Sequence, residues 1–272
     1  METSDVSSLA VKMAFTGTVL ASRPCPGAPD VATALDLTWV AQRRSVSRDG
    51  SAAGTLPDHG EFAMYIRTTE FRGDPSMIDG GLRLVREEIF PAVSAMDGSI
   101  GMSMLVDRQS GRCIATTAWS SEDAMLASAD AVQPLRDRAE SALGGTGGRY
   151  VHEWEVAVVH RDHATPDGAC ARLTWLSGGD LHMVDNAIDM FRMVILPQLQ
   201  EQRGFCSASL MVDRETGRVV GTAAFDSREA LEATRDAAAR LRERVSGELG
   251  AIIDNVEEME IAFAHLHVPE MA

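Results

Sequence analysis

The sequence predicts an α+β protein that contains the same β-α-β-β-α-β unit twice. The first observation is an internal repeat, because VDRQSGRCIATTAWSSEDA, which begins at Val106, returns as VDRETGRVVGTAAFDSREA from Val212. The second is that strand-like and helix-like segments alternate in the same order in both copies. The offset between the copies is 106 residues (212 minus 106). It becomes 105 near the end of each copy, where Glu155 aligns with Glu260.

The first strand and helix of each copy come from two successive patterns. Copy one opens with β-prone residues from Phe62, and GDPS then makes a turn with a helix start signal. Apolar residues follow at steps of three and four, which places them on one helix face. They are Ile78, Leu82, Val85, Ile89 and Val93 in copy one, and Val184, Ile188, Phe191, Ile195 and Leu199 in copy two. Pro91 and Pro197 should kink the last turns of this helix.

A β-hairpin, a second helix and a last strand complete each copy. The turns RQSG and RETG join two short β-prone runs, as expected for hairpins. The last strands read HEWEVAVVH and EEMEIAFAH. A right-handed crossover then places strand 3 between strands 1 and 2, and strand 4 beside strand 1. Helices cover only one face of such a sheet, so we expect the two sheets to pack face to face within the chain.

This β-α-β-β-α-β order is the ferredoxin-like unit, and two such units in one chain resemble the dimeric α/β-barrel superfamily. FPAVSAMDGSIG, VDRQSGR and AWSSEDA carry the resemblance, which covers about residues 62–267 and is closest to antibiotic-biosynthesis-monooxygenase-type domains. The resemblance implies either oxidation without a cofactor or plain ligand binding. The haem-degrading branch uses a tryptophan and a histidine on the second helix, where this chain has Ser128 and Arg138. We therefore expect no cofactor, with haem binding as a less favoured third reading.

Composition excludes several classes of partner. The net charge of -15 would repel nucleic-acid phosphates and anionic lipids. No apolar run approaches the roughly 18 residues of a membrane span. The four cysteines, which lack CxxC spacing, predict neither a metal site nor a disulfide framework, and they fit a cytoplasmic protein. The expected partner is a small-molecule ligand, and further assembly into homo-oligomers stays open.

Residues 1–61 read as a disordered leader and linker, because they show neither helical nor strand periodicity. The two units are expected over 62–163 and 169–267. A native start at Met64 is one alternative, and we expect the leader to be dispensable for folding.

Two aromatic residues are the first site candidates. Trp119 and Phe225 end strand 3 of each copy and could wall a pocket for a flat ligand between helices and sheet. The alternative is that they close the hydrophobic core.

Two glutamates and three histidines complete the set. Glu155 and Glu260 recur in mid-strand and could act as general bases. Alternatively they form cross-strand ion pairs with Arg67 and Arg172, which also recur. His182 occurs in copy two alone, opposite Ser76, and is a pocket candidate.

His160 and His265 end the last strands and lack a second metal ligand at suitable spacing. No residue is assigned a catalytic role. The sequence predicts a protein that binds or oxidises a small, flat, apolar metabolite, with a non-catalytic ligand-binding or stress-associated barrel as the alternative.

Overall fold

A computed structural model of the chain describes residues 64–145, 147–178 and 181–266. The leader predicted at 1–61 lies outside these ranges, and its dispensability stays a prediction. Met64 is the first described residue, and a native start there also stays a prediction. Among the described residues, no helix has both the length and the apolar composition needed to cross a membrane.

Each copy forms four strands and two segmented helices in the predicted order. In copy one these are β1 (Met64–Arg72), α1 (Ile78–Leu84), α2 (Phe90–Ser94), β2 (Ser99–Asp107), β3 (Arg112–Trp119), α3 (Glu122–Ala127), α4 (Ala129–Ala142) and β4 (Tyr150–Arg161). In copy two they are β5 (Cys170–Ser177), α5 (Leu181–Met190), α6 (Leu196–Gln200), β6 (Phe205–Asp213), β7 (Arg218–Phe225), α7 (Arg228–Ala233), α8 (Arg235–Leu249) and β8 (Ile252–Leu266).

The first helix of each copy contains one π turn directly before its proline. Val85–Ile89 separates α1 from α2, and Phe191–Ile195 separates α5 from α6. Pro91 and Pro197 have no N–H to continue the regular ladder, so the wider turn falls where the α-helical hydrogen bond is lost. The predicted copy-one helix face is fully buried, since its five apolar residues are at most 4 % exposed.

The strands close into one eight-stranded antiparallel barrel with the order β1-β3-β2-β8-β5-β7-β6-β4. Each copy supplies a four-stranded sheet in the predicted order, with strand 3 between strands 1 and 2 and strand 4 beside strand 1. Two junctions join the copies, β2 with β8 and β4 with β6. Because every neighbouring pair is antiparallel, equivalent strands run in the same direction, so the copies are related by a half-turn about the barrel axis.

Three apolar layers result from this arrangement. One lies under the helices of each copy, and the third lines the space between the two sheets. The end of the last strand of each copy joins the helix layer of the other copy. Ala262 and Phe263 of β8 pack in the layer of copy one, where Phe263 meets the ring of Phe90 edge-on at 5.0 Å.

Candidate functional site

Two cavities are candidates for a small-molecule site. The larger, about 430 Å³, lies inside the barrel between the two sheets and is lined by both copies. The smaller, about 100 Å³, lies between the helices and the sheet of copy two. The sequence predicted a pocket in the second position only, and the barrel interior was not foreseen.

The smaller cavity, called here the copy-two pocket, is mainly apolar. Its hydrophobic wall comes from both helices and from two strands: Leu176, Phe191, Ile195, Leu199, Leu210 and Leu241. The polar side chains at its wall are Arg172, Arg242 and Thr174, whereas Thr222 borders the pocket from a strand position whose side chain faces the barrel interior. Such a wall suits a ligand with an apolar body and a single polar group.

Small residues open this pocket. Gly221 and Ala238 line it, whereas copy one has Ala115 and Val132 at the equivalent positions. A Cβ atom on Gly221 would lie 3.7 Å from Cε2 of Phe191, so even one methyl group would occupy the space. Ile195 remains partly exposed, while its counterpart Ile89 is 2 % exposed. The helix layer of copy two is therefore less tightly packed here.

The two arginines at this wall differ in how their donors are used. Arg172 is buried, and its guanidinium donates to the Glu258 carboxylate at 2.8 Å, to Thr234 Oγ1 at 2.8 Å and to the Leu231 carbonyl at 3.0 Å. Arg67 makes the same set in copy one with Glu153, Ser128 and Met125. This set fixes the break between the two segments of the second helix to the first strand, which is a structural role.

Arg242 keeps a donor without a partner. Its Nη1 atom is buried and has no hydrogen-bond partner among the described residues. Burial and the neighbouring Arg172 lower its pKa, because both disfavour a second cation in this place. An anionic or electron-rich oxygen in the copy-two pocket would supply the missing acceptor and offset the repulsion.

Trp119 and Phe225 have core positions. Both side chains are 0 % exposed, each in the helix layer of its own copy, and neither lines the two cavities. The Trp119 indole N–H donates to Thr117 Oγ1 at 3.2 Å, so its polar atom is satisfied inside the protein. These placements match the core alternative, and a ligand-binding role for either residue stays a prediction.

The expected pairing of Glu155 with Arg67, and of Glu260 with Arg172, is wrong. In the β1–β4 register, Arg67 faces Glu153, and in the β5–β8 register Arg172 faces Glu258, two residues earlier than expected. Side chains two residues apart on a strand lie on the same face, so Glu153 shares a face with Glu155, and Glu258 shares one with Glu260. The amino-acid sequence alone therefore cannot choose which glutamate of each strand meets the arginine.

Glu155 and Glu260 instead pair with arginines of the other copy. Arg214 binds the Glu155 carboxylate at 2.7 and 3.0 Å, and Arg108 binds Glu260 at the same two distances. Both arginines follow the aspartate of the repeated hairpin turn, which sequence reasoning interpreted as a turn alone. Their signal was recurrence, since Arg108, Asp79 and Glu155 all have counterparts in copy two.

The histidines lie outside the copy-two pocket. His182 is exposed on α5 and lines neither cavity, so its role as a pocket residue stays a prediction. His160 stacks on Phe205 with ring centroids 6.3 Å apart, and His265 stacks on Phe90 at 5.2 Å. His265 also lines the barrel interior, at the end where β4 and β8 finish. Among the described residues, no group of three or more His, Cys, Asp and Glu side chains could hold a metal ion.

Solved structures share this fold. An anthrone oxidase-like protein matches 78 % of this chain and 96 % of its own, with a TM-score of 0.54 and 15 % identity. A candidate monooxygenase from Lactobacillus acidophilus matches 76 % of this chain and 97 % of its own, with a TM-score of 0.55 and 10 % identity. The fold is that of the antibiotic-biosynthesis-monooxygenase-like dimeric α/β barrels, with both units in one chain. No family model matches the sequence.

Two relatives in Mycobacterium tuberculosis are much closer in sequence. The uncharacterized protein Rv2558 is 45 % identical over 231 residues, which are 84 % of this chain and 97 % of the relative. The uncharacterized protein Rv2557 is 45 % identical over 224 residues, which are 82 % of this chain and 99 % of the relative. The chain belongs to the family of these two mycobacterial proteins.

Proposed function

We propose that this protein binds a small, flat, mainly apolar molecule in the copy-two pocket, with an anionic or electron-rich oxygen of the ligand on Arg242. The observation that carries the proposal is the unpartnered Nη1 donor of Arg242 beside a mainly apolar wall. The pocket volume of about 100 Å³ is two-thirds of the apolar cavity of about 150 Å³ that holds benzene, so a ligand with one aromatic ring would have to widen the pocket, which the looser packing of the copy-two helix layer allows.

Cofactor-independent oxidation is the second candidate function. A substrate that passes electrons directly to oxygen reacts as its anion, and a guanidinium beside the oxygen would lower the substrate pKa. Among the described residues lining the copy-two pocket, none is an Asp, Glu, His, Lys, Cys or Tyr that could take the proton. Binding without turnover therefore has the stronger support, and oxidation would need a substrate that ionises unaided.

Isothermal titration with benzoate and with its uncharged isostere nitrobenzene tests the proposal. Benzoate should bind the unchanged chain more tightly, and Arg242→Gln should lower its affinity about tenfold, which corresponds to one charge-assisted hydrogen bond. Nitrobenzene binding should change little. Equal affinity of Arg242→Gln and the unchanged chain for benzoate would contradict the proposal.

Filling the pocket gives an independent measurement. Gly221→Val should reduce the binding of both probes, because the added methyl groups enter the space beside Phe191. Ala115→Val, the equivalent position in copy one, is the matched control and should leave binding unchanged. Oxygen uptake with quinols and anthrones then separates catalysis from binding, since the non-catalytic alternative predicts none above the rate without protein.

A further inference from the structure

The barrel interior is large enough to be a binding site in its own right. Its volume of about 430 Å³ falls within the range of roughly 300–1,000 Å³ that is usual for ligand sites. Two sheets packed face to face normally fill the space between them with interdigitating side chains. In this barrel the space is left open, and it is separate from the copy-two pocket.

Small side chains keep the interior open. The upper end of the cavity is the end where β4 and β8 finish. It is lined by Ala118 of copy one and by Ala171 and Ala224 of copy two. Ser103 and its copy-two counterpart Ser209 line the middle. A hydrophobic core would need residues the size of leucine or phenylalanine at these positions.

Four hydroxyl groups form a belt around the middle of the interior, and we call them the hydroxyl belt. Ser103 faces Thr116 across β2 and β3, and Ser209 faces Thr222 across β6 and β7. All four residues line the cavity and remain partly exposed. None of the four side chains makes a hydrogen bond to another described residue, whereas Thr68, next to Thr116, accepts one from Trp154 at 3.0 Å.

The belt has two halves on opposite walls. The pair β3–β2 and the pair β7–β6 are four positions apart in the ring of eight strands. The half-turn that relates the copies therefore carries one Ser–Thr pair onto the other across the interior. Hydrogen-bonding groups on opposite walls match a ligand that carries oxygen atoms on opposite edges.

Charged side chains are confined to the two ends of the cavity. At the lower end Arg112 binds Glu70 and Glu257, each at 2.8 Å. At the upper end the lining includes Arg161, His163 and His265, and the exposed His163 shows that the cavity reaches solvent there. The belt itself contains only uncharged groups, so the body of a ligand held there should be neutral.

We propose that the barrel interior is a second ligand site, which takes a neutral, flat or elongated, mainly apolar molecule with hydrogen-bonding oxygens on opposite edges. The ligand enters from the upper end, past the connection between the copies at 163–165. Its apolar body packs against Trp154 and Trp175, and its oxygens bind the hydroxyl belt.

Displacement of the fluorescent neutral probe N-phenyl-1-naphthylamine from the full chain tests this site. The competitors are 2,6-dihydroxynaphthalene and 2,6-dimethylnaphthalene, which have nearly the same shape and differ in the groups on their opposite edges. The measured quantity is the ratio of the two dissociation constants. Thr116→Val with Ser209→Ala keeps the shape of the cavity while removing one hydroxyl from each wall, and it should reduce the preference for the dihydroxy compound about tenfold.

Two variants make the outcome specific. Thr174→Val, which removes a hydroxyl from the copy-two pocket, should leave the ratio unchanged, and thermal unfolding checks that each variant folds. Gly221→Val should reduce benzoate binding and leave displacement of the naphthylamine intact, so the two proposals fail separately. An unchanged ratio in Thr116→Val with Ser209→Ala, or no binding of the naphthylamine by the unchanged chain, would overturn the second site.

Discussion

Arg108 of copy one holds Glu260 of copy two through two parallel hydrogen bonds of 2.7 and 3.0 Å, across the junction between β2 and β8. The same guanidinium donates to Asp79 on α1 at 2.8 Å. Arg214 makes the equivalent contacts with Glu155 and Asp185 at the β4–β6 junction. Each junction therefore carries one arginine that ties a hairpin turn of one copy to the last strand of the other.

Removing these junction arginines should weaken the barrel moderately. Arg108 and Glu260 are 43 % and 30 % exposed, so solvent screens the pair. We expect Arg108→Gln and Arg214→Gln each to lower the free energy of unfolding by about 0.5–1 kcal/mol. Urea denaturation measures the change, with Arg83→Gln as the charge-matched control on an exposed position of α1. Equal losses in Arg83→Gln and Arg108→Gln would show that net charge alone is responsible.

The order of elements could be predicted from the sequence, whereas the register of the ion pairs could not. The repeat, the helix face from Ile78 to Val93 and the hairpin turns together determine the sheet order and the need for a second sheet. Glu153 and Glu155 both recur at offset 105 and share one face of β4, so recurrence cannot tell which of them meets Arg67. The choice depends on where β1 begins to pair, which local sequence does not specify.

Loss of the Glu258 carboxylate should destabilise the protein more than loss of the carboxylate of Glu153, its counterpart in copy one. Glu258 is 18 % exposed and accepts from both Arg172 and Arg235, whereas Glu153 is 42 % exposed and pairs with Arg67. Position 129, the counterpart of Arg235, is an alanine. We expect Glu258→Gln to lower the free energy of unfolding by about 1–3 kcal/mol and Glu153→Gln by less. Urea denaturation of the two variants at pH 7 measures both, and the reverse order would contradict this account.

The contribution of Glu258 should disappear in acid. Burial raises the pKa of this carboxyl, but hydrogen bonds from Arg235 and Arg172 outweigh it and the net shift is downward from 4.5. A lowered pKa in the folded state means that the stabilisation is complete above the unfolded pKa and is lost as the pH falls through the folded value. The difference in free energy of unfolding between the unchanged chain and Glu258→Gln should therefore be constant around neutral pH and shrink below about pH 4. A difference that is unchanged in acid would point to packing.

The described cysteines should react slowly with thiol reagents. Burial raises the pKa of the thiols of Cys113 and Cys206 to about 11, and that of Cys170 is also raised. Nucleophilic thiolate is therefore scarce at pH 8. In a Cys25→Ser background, 5,5′-dithiobis(2-nitrobenzoate) should label no thiol rapidly in the native protein and three in guanidinium chloride. Rapid labelling of one native thiol would show that a strand of the barrel opens locally.

The position of the cavities was beyond sequence reasoning for a physical reason. Whether a layer is filled or open depends on the sum of side-chain volumes across several strands, and Gly221 or Ser209 alone gives no sign of it. Arg242 lies in a run of charged residues on α8, and such a run by itself indicates a solvated helix face. Its buried Nη1 atom becomes apparent only once α8 is packed over the sheet.

The copy-one half alone, residues 64–166, should form a homodimeric barrel. Without copy two, β2 and β4 lose their partners and the inner sheet face becomes exposed, so a second copy should cover them. Arg108 would then meet Glu155 of the other subunit, because Glu155 is the counterpart of Glu260. Sedimentation equilibrium should show a dimer, Arg108→Glu should shift it towards monomer or aggregate, and adding Glu155→Arg should restore part of the dimer through the reversed pair. A soluble, cooperatively folding monomer would contradict the dependence of each sheet on the other, and a dimer indifferent to Arg108→Glu would mean that the halves associate through another surface.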